Sequence, residues 1–192
     1  MTVVEHEFIL GGQKSGKSRR AEQRAIDWLA SAPGTHRAVL IATAQAHDDE
    51  MQERIVRHQA DRAERVPGMR TIEEPVELAR AIVTQSAPET LVVIDCLTLW
   101  LTNLLMPLRT EAARPTTRTP SAHIAMLQIA LREARGPVVL VGNEIGLGVI
   151  PLGRETRAFV DALGRLNQDV AAACSRVTLM AAGLPLSLKA PA

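Results

Sequence analysis

Short continuous apolar runs alternate with amphipathic stretches along this chain, and the alternation predicts strands and helices in turn. Glu7–Leu10, Arg37–Thr43, Leu91–Asp95, Pro137–Val141 and Val177–Ala181 read as strands, apolar on both faces. Leu184–Leu188 predicts a last strand at a sheet edge. Strands without polar alternation are those covered by helices on both sides, as in parallel sheets. Helical segments are predicted at Arg19–Ala30, Asp48–Arg62, Pro75–Gln85, Leu97–Leu105, Ser121–Ala134 and Arg154–Cys174. In the second of these Met51, Ile55 and His58 follow the i, i+4, i+7 spacing of one helix face, with Asp48 or Asp49 as its N-cap. Pro75 suits a first helical turn, and Ser121 is expected to cap the fifth helix. Val66-Pro67-Gly68 marks a turn before a short extended piece, Met69–Ile72. Pro107–Pro120, with three Pro and four Thr, reads as a surface loop, and Asn143–Pro151 as a Gly-rich one. There is no internal repeat and no linker. The expectation is a single α/β domain over residues 1–192, with a mostly parallel sheet flanked by helices.

Composition narrows the function classes. The 192 residues include 46% hydrophobic residues, enough for a globular core rather than a disordered chain. With 22 basic and 21 acidic residues the net charge is +1, which argues against nonspecific nucleic-acid binding. Aromatic residues make up only 2%, which leaves no stacking platform for single strands. The two cysteines, Cys96 and Cys174, sit in apolar surroundings without metal-ligand spacing and read as buried free thiols. The N-terminus does not read as a signal peptide. The most apolar run, Leu91 to Leu105, is too short and too polar to span a membrane. A cytoplasmic protein without nucleic-acid or membrane partners is expected.

The chemistry begins at the first strand. Gly11-Gly12-Gln13-Lys14-Ser15-Gly16-Lys17-Ser18 follows an apolar run and opens a helix. This strand–GxxxxGK[ST]–helix pattern is a phosphate-binding loop, in which backbone N–H groups and the helix N-terminus hold a polyphosphate. Gly11 and Gly16 allow turns that a Cβ would obstruct. Lys17 reaches the β- and γ-phosphates, and the Ser18 hydroxyl is placed to ligate Mg²⁺. Asp95, at the end of the strand LVVID, is the expected second Mg²⁺-facing group, although a strand-end Asp also caps helices. No guanine-reading N-K-x-D stretch and no Arg-rich lid is visible.

Longer blocks resemble one family, the bifunctional adenosylcobinamide kinase / adenosylcobinamide-phosphate guanylyltransferase of cobalamin biosynthesis. GGQKSGKSRRAE, IATAQAHDDEMQERIVRHQADR, TIEEP, VVIDCLTLWLTNLL, VGNEIGLGVIP and GRLNQDVAAACSRV carry the resemblance along most of the chain. Ala63 stands where the family often has Pro, Met69 where it often has Trp, and Lys14 where Arg is common. The resemblance implies a RecA-like phosphate-loop fold and two reactions. ATP or GTP phosphorylates the aminopropanol hydroxyl of adenosylcobinamide. GTP then transfers GMP to adenosylcobinamide phosphate through a GMP–histidine intermediate, giving adenosylcobinamide-GDP.

The position matching that histidine is His58. A neutral imidazole is a usable nucleophile near pH 7, and Arg54 and Arg62 lie one turn to either side. Spacing alone would make such a residue a solvated surface histidine; the surrounding block is what singles it out. His6, His36, His47 and His123 have no such block and read as structural or exposed. The resemblance also implies nucleotide contacts at Ala42, Thr43 and Ala44, at Gln59, Ala60, Asp61 and Arg62, and at Glu73 and Asp95. Glu73 would accept hydrogen bonds from guanine or from ribose hydroxyls, unless it serves only as an acidic group before the next helix. Asn143 and Glu144 lie in a loop expected to face the ligand crevice, and Arg165 and Asn167 read as interface residues rather than chemical ones. Homotrimers are implied as well. The alternatives are a single-activity metabolite kinase with the same loop and a RecA-like ATPase.

Overall fold

The computed structural model describes residues 4–46, 49–107 and 118–191, with all their side chains except that of Arg54. Its strands are β1 (Glu7–Gly11), β2 (Arg37–Ala42), β3 (Arg70–Glu73), β4 (Thr90–Asp95), β5 (Val138–Asn143), β6 (Arg176–Ala181) and β7 (Leu184–Lys189). The helices are α1 (Lys17–Ser31), α2 (Asp49–Arg65), α3 (Leu78–Gln85), α4 (Leu97–Leu105), α5 (Pro120–Glu133) and α6 (Arg154–Ala173). One seven-stranded sheet runs in the order β3-β2-β4-β5-β1-β6-β7. All neighbouring pairs are parallel except β6–β7, an antiparallel hairpin turned at Ala182-Gly183, where both residues have positive φ. The α/β expectation holds, with a parallel sheet and one reversed edge.

The period-two alternation of the strands explains the layers. Phe8, Leu10, Val92, Ile94, Val138 and Leu140 point to one face and pack with α3, α4, α5 and α6. Ile9, Leu40, Val93, Val139 and Val141 point to the other and meet Ala21 and Ala25 of α1. The ends of the strands keep the same parity. Asp95 and Asn143 therefore continue the α1 side of β4 and β5 at the carboxyl edge, where an open α/β sheet receives its ligands.

Local chemistry shifts several boundaries. The fifth helix is capped by Thr119, whose Oγ1 accepts from the Ala122 N–H at 3.3 Å. Ser121 lies inside the helix because Pro120 fits the first helical position, where its missing N–H costs nothing. The third helix starts at Leu78 rather than Pro75, since the Glu74 carboxylate holds the N–H groups of Val76 and Glu77 in a turn first. Met69–Ile72 becomes the four-residue edge strand β3, displaced by one residue to Arg70–Glu73. His47, Asp48 and most of the predicted Pro107–Pro120 loop lie outside the described residues. Both cysteines are buried free thiols, and burial pushes them up to about 11 at Cys96 and about 12 at Cys174.

His6 ties the sheet to α5. Its Nδ1 accepts from the Val138 N–H at 3.1 Å, which leaves Nε2 to donate to the Leu131 carbonyl at 2.8 Å. Both ring nitrogens are thus committed to the neutral form. Burial lowers the pKa from its ordinary 6.5, against the opposing effect of the Leu131 carbonyl. The unfolded chain then binds a proton that the folded chain refuses. This contribution to stability is complete above about pH 6.5 and is lost as pH falls below it, with a slope of up to about 1.4 kcal/mol per pH unit. An NMR titration should place the His6 imidazole below 6.5; a value at or above 6.5 would remove His6 as the cause.

Candidate functional site

The phosphate loop is built by backbone geometry. Gly11 ends β1 with φ +156°, and a Cβ there would stand 2.5 Å from both the Met180 carbonyl oxygen and Ser15 Oγ. Gly16 sits at φ +100° as the N-cap of α1, and Lys14 is left-handed at φ +54°. The Gly183 N–H donates to the Ser15 carbonyl at 3.0 Å, so the β6–β7 hairpin braces the loop from behind. Lys17 and Ser18 form the first turn of α1, which begins two residues before the sequence pattern placed it. Lys17 is buried, and its ammonium donates to the Gly12 carbonyl of its own loop at 2.6 Å. Burial lowers its pKa, partly opposed by Cys96 and Asp95.

Asp95 stands at the carboxyl end of β4, facing the start of α1. Ser18 Oγ lies 3.5 Å from its Oδ2, and Arg62 Nη2 lies 3.5 Å from the same oxygen. Arg62 therefore joins the second helix to the acidic residue. A second tie lies one turn on, where Arg65 meets the buried Glu22 of α1 at 3.0 Å; burial raises the Glu22 pKa, offset in part by Arg65. The carboxyl end of α2 is thus clamped onto α1, and its body forms one wall of an open crevice. That crevice has a volume of about 760 Å³ and is lined by Gln13–Arg19, Ala42, Ala44, Glu50, Met51, Ile55, Arg57, His58, Gln59, Arg62, Glu73, Asp95, Cys96, Leu99, Val141 and Asn143.

The expected residues are only partly brought together. His58 is exposed on the crevice wall, and Gln59 Nε2 donates to Glu73 Oε1 at 3.2 Å beside it. Thr43 does not reach the crevice. It is fully buried, its hydroxyl donates to the Cys96 carbonyl at 2.7 Å and accepts from the Cys96 N–H at 2.9 Å, and its carbonyl takes Asn103 Nδ2 at 2.8 Å. Thr43 is a strut that fixes the turn after Asp95, while its neighbours Ala42 and Ala44 line the open side. Ala60 and Asp61 are not among the lining residues, and Asp61 pairs with Arg65 at 3.2 Å on the outer face of α2. Gly11 and Gly12 shape the loop without lining the crevice. The Arg54 side chain lies outside the described residues.

Sequence reasoning passed over Arg57 and gave Asn143 no definite role, though both line the crevice. Arg57 directly precedes His58, and a cation next to a nucleophile candidate was the available signal. Among the described residues no group of three His, Cys, Asp or Glu could hold a metal by itself. No helix of the described residues is long and apolar enough to cross a membrane.

A family model described as "Cobinamide kinase / cobinamide phosphate guanyltransferase" matches residues 7–188. The chain is 45% identical over 186 residues to the bifunctional adenosylcobalamin biosynthesis protein CobP of Pseudomonas aeruginosa, covering 95% of this chain and 96% of that one. It is 34% identical over 188 residues to the corresponding CobU of Escherichia coli and 36% identical over 188 residues to that of Salmonella typhimurium, each covering 95% of this chain and 98% of the relative. Among solved structures, the flagellar accessory protein FlaH of Methanocaldococcus jannaschii aligns with a TM-score of 0.52 at 10% identity, over 97% of this chain and 79% of that one. That likeness carries the fold alone. With the family model spanning the sheet from β1 into β7, the chain belongs to the cobinamide kinase / cobinamide phosphate guanyltransferase family.

Proposed function

We propose that the single crevice between the phosphate loop and α2 performs both reactions of this family, with His58 as the residue that carries GMP. The observation that supports this most is the shared lining: Lys17, Ser18, Asp95 and His58 face one space. In the kinase step the triphosphate lies along Gly11–Ser18. The cobinamide hydroxyl oxygen bonds to the γ-phosphorus, the bond from that phosphorus to the β,γ-bridging oxygen breaks, and the hydroxyl proton passes to water. Lys17 and the loop N–H groups hold the charge that gathers on the departing diphosphate. The nucleotide is ATP or GTP.

In the transfer step a neutral His58 nitrogen bonds to the α-phosphorus of GTP and pyrophosphate leaves. A phosphate oxygen of adenosylcobinamide phosphate then bonds to the same phosphorus, the P–N bond breaks, and His58 returns to its neutral form. Gln59 steadies Glu73, which serves as the acceptor for guanine or ribose donors. Arg57 and Arg62 supply positive charge beside the phosphates. Ser18 and Asp95 fit a magnesium ion, which binds through one or two protein oxygens plus substrate phosphates and would offset the charge on the phosphates.

The working form is a cytoplasmic homotrimer. Its support is the exposed apolar surface: Leu147, Val149, Ile150 and Leu152 are 77–96% exposed, and Leu184, Leu186 and Leu188 project from the edge strand β7. Incubation with α-labelled GTP tests the function. Acid-labile label on the protein, transferable to adenosylcobinamide phosphate, is the expected result. A protein that phosphorylates cobinamide but takes up no label would be a single-activity kinase.

A further inference from the structure

We propose that the Asn143 carboxamide is a catalytic residue of the kinase step, donating a hydrogen bond to the γ-phosphoryl group as it moves to the cobinamide hydroxyl. Asn143 is the last residue of β5, the strand between the phosphate loop's β1 and the β4 that carries Asp95. In register it stands opposite Gly11, while Asp95 stands opposite Val141. Asn143 therefore lies one pleat repeat, about 6.6 Å, beyond the level of Asp95 and level with the entrance of the phosphate loop. Strand parity sends its side chain to the same face as Val139 and Val141, the α1 face, and it lines the crevice with Lys17 and Asp95.

Its backbone is held on every side. The Asn143 N–H donates to Thr98 Oγ1 at 2.9 Å, its carbonyl accepts from Asn167 Nδ2 at 3.1 Å, and the next N–H, of Glu144, donates to the Gly11 carbonyl at 3.1 Å. The Glu144 carboxylate is engaged at both oxygens, by the Gly146 N–H and by Asn167. The Asn143 carboxamide has no hydrogen-bond partner among the described residues. A strand end braced by three neighbouring elements, α4, α6 and β1, thus presents a neutral donor with nothing inside the protein to donate to. The loop and Lys17 hold the bridging and β-phosphate oxygens. A donor across from them, level with the loop, reaches the γ-phosphoryl oxygens that migrate with the group. The α-phosphorus, where His58 acts, lies at the other end of the triphosphate.

This inference rests on the kinase half of the proposed function, and the test keeps the two apart. Wild-type protein with γ-labelled ATP and adenosylcobinamide must first show label transfer; without it the kinase reading fails. In Asn143→Ala, kcat for phosphoryl transfer should then fall on the order of 10²-fold, as on loss of a transition-state donor, with little change in the nucleotide KM. The loss should exceed that in guanylyl transfer at least about tenfold. Asn143→Asp keeps the shape but sets an anion against the γ-phosphoryl oxygens, and should lose at least as much as the alanine variant. Thermal unfolding of both variants should match the wild type. Kinase activity near wild type in Asn143→Ala, equal loss of the two activities, or an active Asn143→Asp would each overturn the assignment.

Discussion

His58→Ala should lose guanylyl transfer by on the order of 10⁴-fold or more, the scale seen when a covalent nucleophile is deleted, while phosphoryl transfer to cobinamide suffers far less. The asymmetry follows from placement. His58 lies on the α2 wall of the crevice, whereas the kinase step as proposed relies on Lys17 and the phosphate loop at the start of α1. His58 is exposed, so truncation opens no core cavity. The measurement is label retained on denatured protein after α-labelled GTP, with acid lability as the mark of a P–N bond. His58→Gln, which keeps a polar side chain but no nucleophile, should also carry no label. Label at the wild-type level in either variant would move the intermediate to another residue and sink the assignment.

What was legible in the sequence is what local pattern encodes. The phosphate loop is contiguous, and its glycines, lysine and hydroxyl are each required by backbone geometry or charge, so eight adjacent residues define it. The central strands were legible because burial on both faces leaves uninterrupted apolar runs such as Leu91–Ile94. β3 was faint for the opposite reason. Four mostly exposed residues at a sheet edge leave no periodicity, and its pairing with β2 is a tertiary fact.

His58 was visible only through the longer resemblance, because an exposed histidine between arginines has no local signature. The link from Arg62 to Asp95 joins residues 33 positions apart and could not be read from either neighbourhood. Thr43 shows the converse case. Its place in a matching block suggested contact with ligand, but its hydroxyl bridges the backbone of Cys96, 53 residues away. A residue that holds a site in shape and one that touches its ligand leave the same mark in a block of sequence. Only the direction of the side chain separates them.

Lys17→Ala should disable both reactions, each by about 10² to 10³-fold, because each needs the β,γ end of a triphosphate held in the loop. The environment of Lys17 makes the prediction specific. Its ammonium is taken from water by Gly12 and the walls of the loop, and burial lowers its pKa from 10.5. The charged form is the one that stabilises the departing oxygens. Activity carried by Lys17 is therefore complete below the lowered pKa and falls as pH rises through it, earlier than for an exposed lysine. Profiles of kcat/KM against pH should show this alkaline limb in both reactions of the wild type. Lys17→Arg should not restore either. A guanidinium is planar and wider than the compact ammonium that donates to the Gly12 carbonyl at 2.6 Å. Guanylylation of His58 that persists in Lys17→Ala at the wild-type rate would mean that GTP is held elsewhere for transfer. The two reactions would then occupy separate sites.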